Sequence, residues 1–450
     1  MRSKSILKSL VFVSILAALT VSLVSAGTLT GGLTFSNTPL LRPEGDSEPA
    51  ISIAADGTMA ITGLQWLFDP NFFGTHLWSG PFGSTPTFRG LIDASLQKRG
   101  KQVFGSGDAD VDLGSSGKLH ATSLIFLINP TFINAKLGVS AITCTDATAS
   151  NCTSQIIDTA GADRQWITSE GTHVYISYHD SGNSSLIHVQ RSDDDGYTWR
   201  RVGNPIVGQG RTTGNATFNN TAGPIVADPV THNVYTIYTA GEPGIQKGTS
   251  ADFNNVFVSR SSDGGKSWTA NLVYHAPLFT SLSNVFPALA VDPVNGKLYA
   301  TWSDPHATFF SASSDEGAHW SPAATVNIAP ANTAIFPWIA AYNGTVDVVY
   351  YGTTAASKDD STAVWNVYLA QTINDGASFA QSLVSNTPNH VGVVCTDGTG
   401  CAGGTRNLLD LFEVGINPQN ARAAVIYTDD TITTTSSGAP LPQVVLAQQN

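Results

Sequence analysis

Ser261-Ser262-Asp263-Gly264-Gly265-Lys266-Ser267-Trp268 is the stretch whose reading decides the fold. It contains a small hydroxyl residue, then an acid, a glycine and an aromatic, at fixed offsets. Together these make a tight turn between two strands. The Asp263 carboxylate accepts backbone N–H bonds inside the turn. Gly265 supplies a backbone conformation that side chains disfavour. Trp268 opens the next strand and packs under the turn. Three further copies carry the same positions: Ser192–Trp199 with Asp194, Gly196 and Trp199; Ser313–Trp320 with Asp315, Gly317 and Trp320; and Thr372–Phe379 with Asn374, Gly376 and Phe379. Each copy follows an apolar strand.

Around these turns runs a wider repeat of two apolar strands joined by a Gly, Asn or Asp turn. Its second strands pass through Ala60, His120, Tyr175, Tyr235, Tyr299, Asp347 and Ala423, a spacing of about 60 residues. Each unit then reads as four strands, A and B from the wide repeat, C before the octapeptide turn and D after it. No helical period competes. Seven such sheets arranged radially give a seven-bladed, all-β propeller, a single domain over residues 27–450. The last unit stops after Pro442–Ala447, its strand C. Leu33–Pro39 reads as a displaced strand D, so the N-terminal strand is expected to complete the last blade.

Residues 1–26 read as a secretory signal: Arg2, Lys4 and Lys8, an apolar run from Leu10 to Val24, then small residues at Val24 and Ala26. An uncleaved anchor is the alternative. The expected location is secreted, cell-surface or periplasmic, with no other membrane insertion. The net charge of −12, with no basic block, argues against nucleic acid as a partner. Cys144 with Cys152 and Cys395 with Cys401 are expected to form two local disulfides. Sequons begin at Asn151, Asn183, Asn215, Asn219 and Asn343.

The octapeptides resemble the Asp-box, or BNR, repeats of sialidases and other secreted propellers, and the resemblance spans the chain from residue 27 onward. Asp163-Arg164-Gln165-Trp166 and Arg406-Asn407-Leu408-Leu409-Asp410 are similar to recurring features of the exported sialidase-like group. The resemblance implies that the Asp-box turns are structural and lie away from the active face. It also implies a six-bladed ring as the alternative architecture, since sialidases have six blades where seven units are counted here. For a sialidase-type glycoside hydrolase it implies an arginine clamp on the sugar carboxylate, a Tyr–Glu pair and an Asp acid. On that reading Arg42, Arg164 and Arg406 form the clamp. Tyr350 or Tyr351 is the nucleophile, Glu242 its base and Asp69 the acid. Arg42-Pro43 lacks the isoleucine of the family's Arg-Ile-Pro motif.

The resemblance also implies that the working face carries the loops leading into strands A and joining B to C. There the sequence offers Glu48, Asp108, Asp110, Asp163, His179, Asp180, Trp302, Asp304, His306 and Asp410. Carboxylates accept hydroxyl bonds and aromatic faces stack on pyranose rings. This mixture favours a monomeric module that binds a glycan or protein, with a glycan-cleaving enzyme as the alternative. Asp108, Asp110 and Asp112 alternate like calcium-loop ligands. Leu119 stands where the last acidic ligand belongs, so strand residues near the channel are the expectation and a structural calcium ion the alternative. No other cofactor is expected.

Overall fold

Every unit of the wide repeat forms an antiparallel sheet. The computed structural model describes residues 31–66, 74–97, 103–105, 107–127, 136–180, 186–206, 220–241, 253–282 and 285–450. Among them, seven sheets with the strand order A-B-C-D form a seven-bladed ring, not the six-bladed alternative. The strands A are Asp46–Ile53, Ala109–Leu113, Ala162–Glu170, Asn220–Ala227, Ala288–Val291, Thr333–Tyr342 and Glu413–Asn417. Blade 2 adds Val103–Phe104 beside its strand B, and blade 6 adds His390–Val391 beside its strand C. Strands A begin on what is called here the upper face. The A–B turns and the octapeptide turns lie on the lower face.

The ring closes as the sequence indicates. Phe35–Pro39 pairs antiparallel with Gln443–Gln449, Phe35 opposite Gln449 and Pro39 opposite Val445. The Tyr427 hydroxyl donates to Asn37 Oδ1 (2.7 Å), and Asn37 Nδ2 donates to the Val384 carbonyl of blade 6 (2.9 Å).

The octapeptide turns repeat one hydrogen-bond pattern. In blade 4 the Ser267 amide donates to Asp263 Oδ1 (2.9 Å), the Gly265 amide to Ser261 Oγ (2.8 Å) and Trp268 Nε1 to the Gly265 carbonyl (2.9 Å). The bonds around Asp194 and Asp315 agree within 0.2 Å. Asn374 replaces the carboxylate in blade 6 and still accepts the Ser378 amide at 3.1 Å. Gly196, Gly265, Gly317 and Gly376 all have φ between 79° and 89°. A Cβ on Gly376 would stand 2.3 Å from the Phe310 ring.

The fourth turn residue, which the sequence reading passed over, reaches back to the preceding blade. Asp195 pairs with Lys118 (2.7 Å), Glu316 with Arg260 (2.5 Å) and Asp375 with Lys297 (2.6 Å). Blade 2 has no octapeptide. There Cys144 ends strand C, Cys152 starts strand D, and a disulfide joins the two. Cys395–Cys401, also bonded, lies in the connection from blade 6 to blade 7. The core lies between blades, where Trp302, Trp365, Tyr235, Tyr299, Tyr350 and Tyr351 are fully buried. Among the described residues no helix is long and apolar enough to cross a membrane.

Candidate functional site

Four strands A are irregular at the upper rim. Their registers slip between Ser47 and Ala50, Asp163 and Gln165, Ala222 and Ile225, and Ile335 and Trp338. Glu48, Arg164 and Phe336 stand in three of these bulges with φ of 50°, 51° and 55°. Pro49 and Pro337 follow two of them, and proline cannot donate to a ladder, so an unpaired position suits it. A bulge re-aims a side chain, and a left-handed non-glycine residue persists only where its surroundings hold it.

Arg164 is the centre of what these bulges assemble. It is 5% exposed. Its Nη1 lies 2.8 Å from Asp108 Oδ1 and 3.5 Å from Glu48 Oε1, and its amide donates to Asp108 Oδ2 (3.2 Å). Its guanidinium carbon lies 4.3 Å from the centre of the Trp166 ring and 4.5 Å from that of Phe286. Among the described residues Nε and Nη2 find no hydrogen-bond partner. Glu48 Oε1 also accepts the Asp410 amide at 3.1 Å, which brings in blade 7. Arg406 Nε donates to Asp410 Oδ1 (3.0 Å), and a second contact joins Nη2 to Oδ2. Burial pushes Glu48 well above the usual carboxylate range, against the pull of Arg164. Burial, and then the neighbouring Asp108, push Asp163 up to about 6.

The structure thus brings together Glu48, Asp108, Asp163, Arg164, Arg406 and Asp410. It does not assemble the three-arginine clamp. Arg42 is drawn to Glu44 (3.0 Å) and lies over the Phe88 ring (3.8 Å), while Arg164 and Arg406 are each matched to a carboxylate. Tyr350 and Tyr351 present no hydroxyl to the upper face. Both sides of strand B are packed, so Tyr350 donates to Gln381 and Tyr351 accepts the Thr428 amide, and burial raises both above the usual tyrosine range. Trp302 is no sugar platform either, being buried in a stack with Tyr274 and Phe309.

Asp304 accepts the His306 and Ala307 amides and so shapes a turn, leaving His306 exposed. Asp180 pairs with His188 at 3.1 Å, and His179 lies opposite Asp163 in the ladder. Asp69, Glu242, the segment 1–26 and the sequons at Asn183, Asn215 and Asn219 lie outside the described residues.

Below Arg164 the rings of Trp166, Phe286 and Trp338 meet across the axis, Trp166 lying 5.6 Å from Phe286 and 5.2 Å from Trp338. Beneath them a cavity of about 440 Å³ is lined by all seven strands A. Asp110 and Asp112 point there and into neighbouring strands. Asp110 Oδ2 accepts the Ile167 amide (2.8 Å), and Asp112 Oδ2 accepts the Ser169 hydroxyl (2.5 Å). Glu413, which the sequence reading did not single out, accepts the Ile51 amide at 2.8 Å. A glutamate inside an apolar strand was its only signal. Among the described residues no group of three or more His, Cys, Asp or Glu is placed to hold a metal.

Fold and face together define a seven-bladed β-propeller whose upper rim gathers one buried arginine and several carboxylates. No protein-family model and no curated protein matches the chain. Solved structures do resemble it. A Dyadobacter fermentans protein of unknown function aligns over 93% of this chain and 100% of its own, with TM-score 0.51 and 11% identity. An ulvan lyase of polysaccharide lyase family PL25, bound to a GlcA(1-4)Rha3S unit, aligns over 91% of this chain and 95% of its own, with TM-score 0.53 and 11% identity. At such identities the likeness establishes the propeller fold.

Proposed function

We propose that the chain is an exported Asp-box propeller, monomeric and working outside the cell, that binds a glycan on its upper face around Arg164. One observation carries this reading. A guanidinium nine-tenths buried, with its central carbon 4.3 and 4.5 Å from two ring centroids, keeps Nε and Nη2 without hydrogen-bond partners among the described residues. Leaving buried donors unmade is expensive, and sugar hydroxyl or carboxylate oxygens would complete them. Asp108, Asp163 and Asp410 beside it would accept sugar hydroxyls. Titration calorimetry on the glycan selected by an oligosaccharide array tests this. Arg164→Gln should weaken binding by about tenfold or more, the equivalent of one charge-assisted hydrogen bond. Unchanged affinity would move the site elsewhere.

A second reading rests on Asp163. A carboxyl held at about 6 beside another carboxylate is a proton donor near neutral pH, as a glycan-cleaving enzyme requires. On this reading the array-selected oligosaccharide is cut, and Asp163→Asn abolishes the cutting while binding persists.

A further inference from the structure

We propose that the lower cavity is a second binding site, separate from the upper face, for an aliphatic ammonium ion such as a short diamine. The cavity is the right size for a small molecule, at about 440 Å³. Its wall has two unlike arcs. One is apolar, with Ile225, Leu289 and Ile339. The other carries the carboxylates of Asp110, Asp112 and Glu413. No Arg, Lys or His stands among the residues that line it.

Glu413 points to a missing partner. It is 3% exposed, its Oε2 is taken by the Ile51 amide, and its Oε1 has no hydrogen-bond partner among the described residues. Burial, and then Asp110, push Glu413 well above the usual carboxylate range, and an ammonium ion beside Oε1 would satisfy that oxygen and favour its ionised form. The nearby cations lie against other carboxylates. Arg164 is held by Asp108 at 2.8 Å, and His120 lies 3.2 Å from Asp195. The apolar arc indicates a ligand with an aliphatic body, since a bare metal ion gains nothing from Ile225 or Leu289. Asp110 and Asp112 are two residues apart on one strand, roughly 6–7 Å along it. That is comparable with the span of a four-carbon diamine. Trp338, in the roof, offers a ring to a cation as well.

Titration calorimetry of the full chain with 1,4-diaminobutane tests the proposal, with 1,4-butanediol and calcium chloride as comparison ligands. Saturable binding of the diamine alone is expected, weakened about tenfold or more by Asp110→Asn and by Glu413→Gln. Should Glu413→Gln not fold, Ala340→Leu narrows the cavity without touching a charge and should likewise remove binding. Absence of saturable binding, equal binding of the diol, or calcium displacing the diamine in an Asp112-dependent way would each overturn it.

Discussion

The lower face of the ring is built by repetition and the channel by exception. On the lower face three turns use the same Ser, Asp, Gly and Trp at nearly the same distances, a fourth puts Thr, Asn and Phe in the same places, and the acids stand in water. Burial opposes ionisation of Asp263, but hydrogen bonds from Ser267, Ser261 and the Lys266 amide together outweigh it and hold the carboxyl at about 2; His319 does the same for Asp315. Asp46, Asp93, Asp110, Asp347 and Asp429 are instead single occurrences, out of water, and shifted the other way. Burial raises Asp110 and Asp347 to about 7, and Asp46, Asp93 and Asp429 to about 6. The same residue type thus does opposite work in the two regions. Where a turn repeats, the acid is a hydrogen-bond acceptor that favours ionisation. Where it occurs once, it is a desolvated group that resists it.

The largest test of that contrast is pH. A buried acid whose folded pKa is raised keeps its proton in the folded chain after the unfolded chain, near 3.9, has lost it. Between about pH 4 and 7 the folded state therefore binds more protons, and stability falls as pH rises. The turn acids have the reverse sign, their contribution being lost as pH falls from about 4 towards 2. Melting temperature should accordingly peak near pH 4–5, not at neutrality. Asp347, with Oδ2 unpartnered, accounts for roughly 4 kcal/mol of the slope at about 1.4 kcal/mol per pK unit, so Asp347→Asn should raise the melting temperature at pH 8 and flatten the profile. A melting temperature that rises steadily from pH 4 to 8 would erase the contrast.

The turns should be costly to damage. Trp268→Ala removes an 8%-exposed ring and its bond to Gly265, an expected loss of about 3–5 kcal/mol by urea denaturation. Phe379→Ala, at the one aromatic without an N–H, should cost less. A smaller effect belongs to the blade that lacks the octapeptide. Replacing both Cys144 and Cys152 by serine should cost about 2–3 kcal/mol, since the closed loop is short. Equal stability with and without reductant would mean that the turn there holds itself.

Much of the repeating half was legible in the sequence. Asp263, Gly265 and Trp268 act through contacts within eight residues of one another, so a pattern along the chain carries them. The closing strand was legible for a similar reason, because Leu33–Pro39 resembles the strand D it replaces. The channel was legible only in part. Arg164, Asp108 and Asp410 could be placed at the starts of strands, but their company comes from blades 1, 2, 3 and 7. Arg42 occupies a similar place, yet Glu44, two residues on, captures it. Tyr350 and Tyr351 looked like strand-end residues, but a strand packed on both sides hides both parities. Glu413 was overlooked because its partners, Ile51 and Asp110, are more than 300 residues away in sequence.

The smallest test concerns the fourth turn residue. Lys297→Ala breaks a pair 35% and 44% exposed at its two ends, and should cost no more than about 1 kcal/mol in thermal unfolding. Tyr299 still donates to Asp375 Oδ1 at 2.8 Å and holds the blades together. A larger loss would mean that these contacts join the blades more firmly than the interblade core.

The clasp between Phe35–Pro39 and Gln443–Gln449 sets a timetable. Ser36 and Asn450, hydrogen-bonded in the finished ring, stand 414 residues apart in the chain. At 5–20 residues per second the first strand made waits on the order of 20 to 80 s for its partner to exist. Closing so long a loop costs roughly 5 kcal/mol in chain entropy, against roughly 2 for an octapeptide. The early blades can therefore form while the nascent chain still carries two open strand edges, one at each end of an unfinished arc. Those edges are the places where a second nascent copy, or a chaperone, finds this protein most receptive.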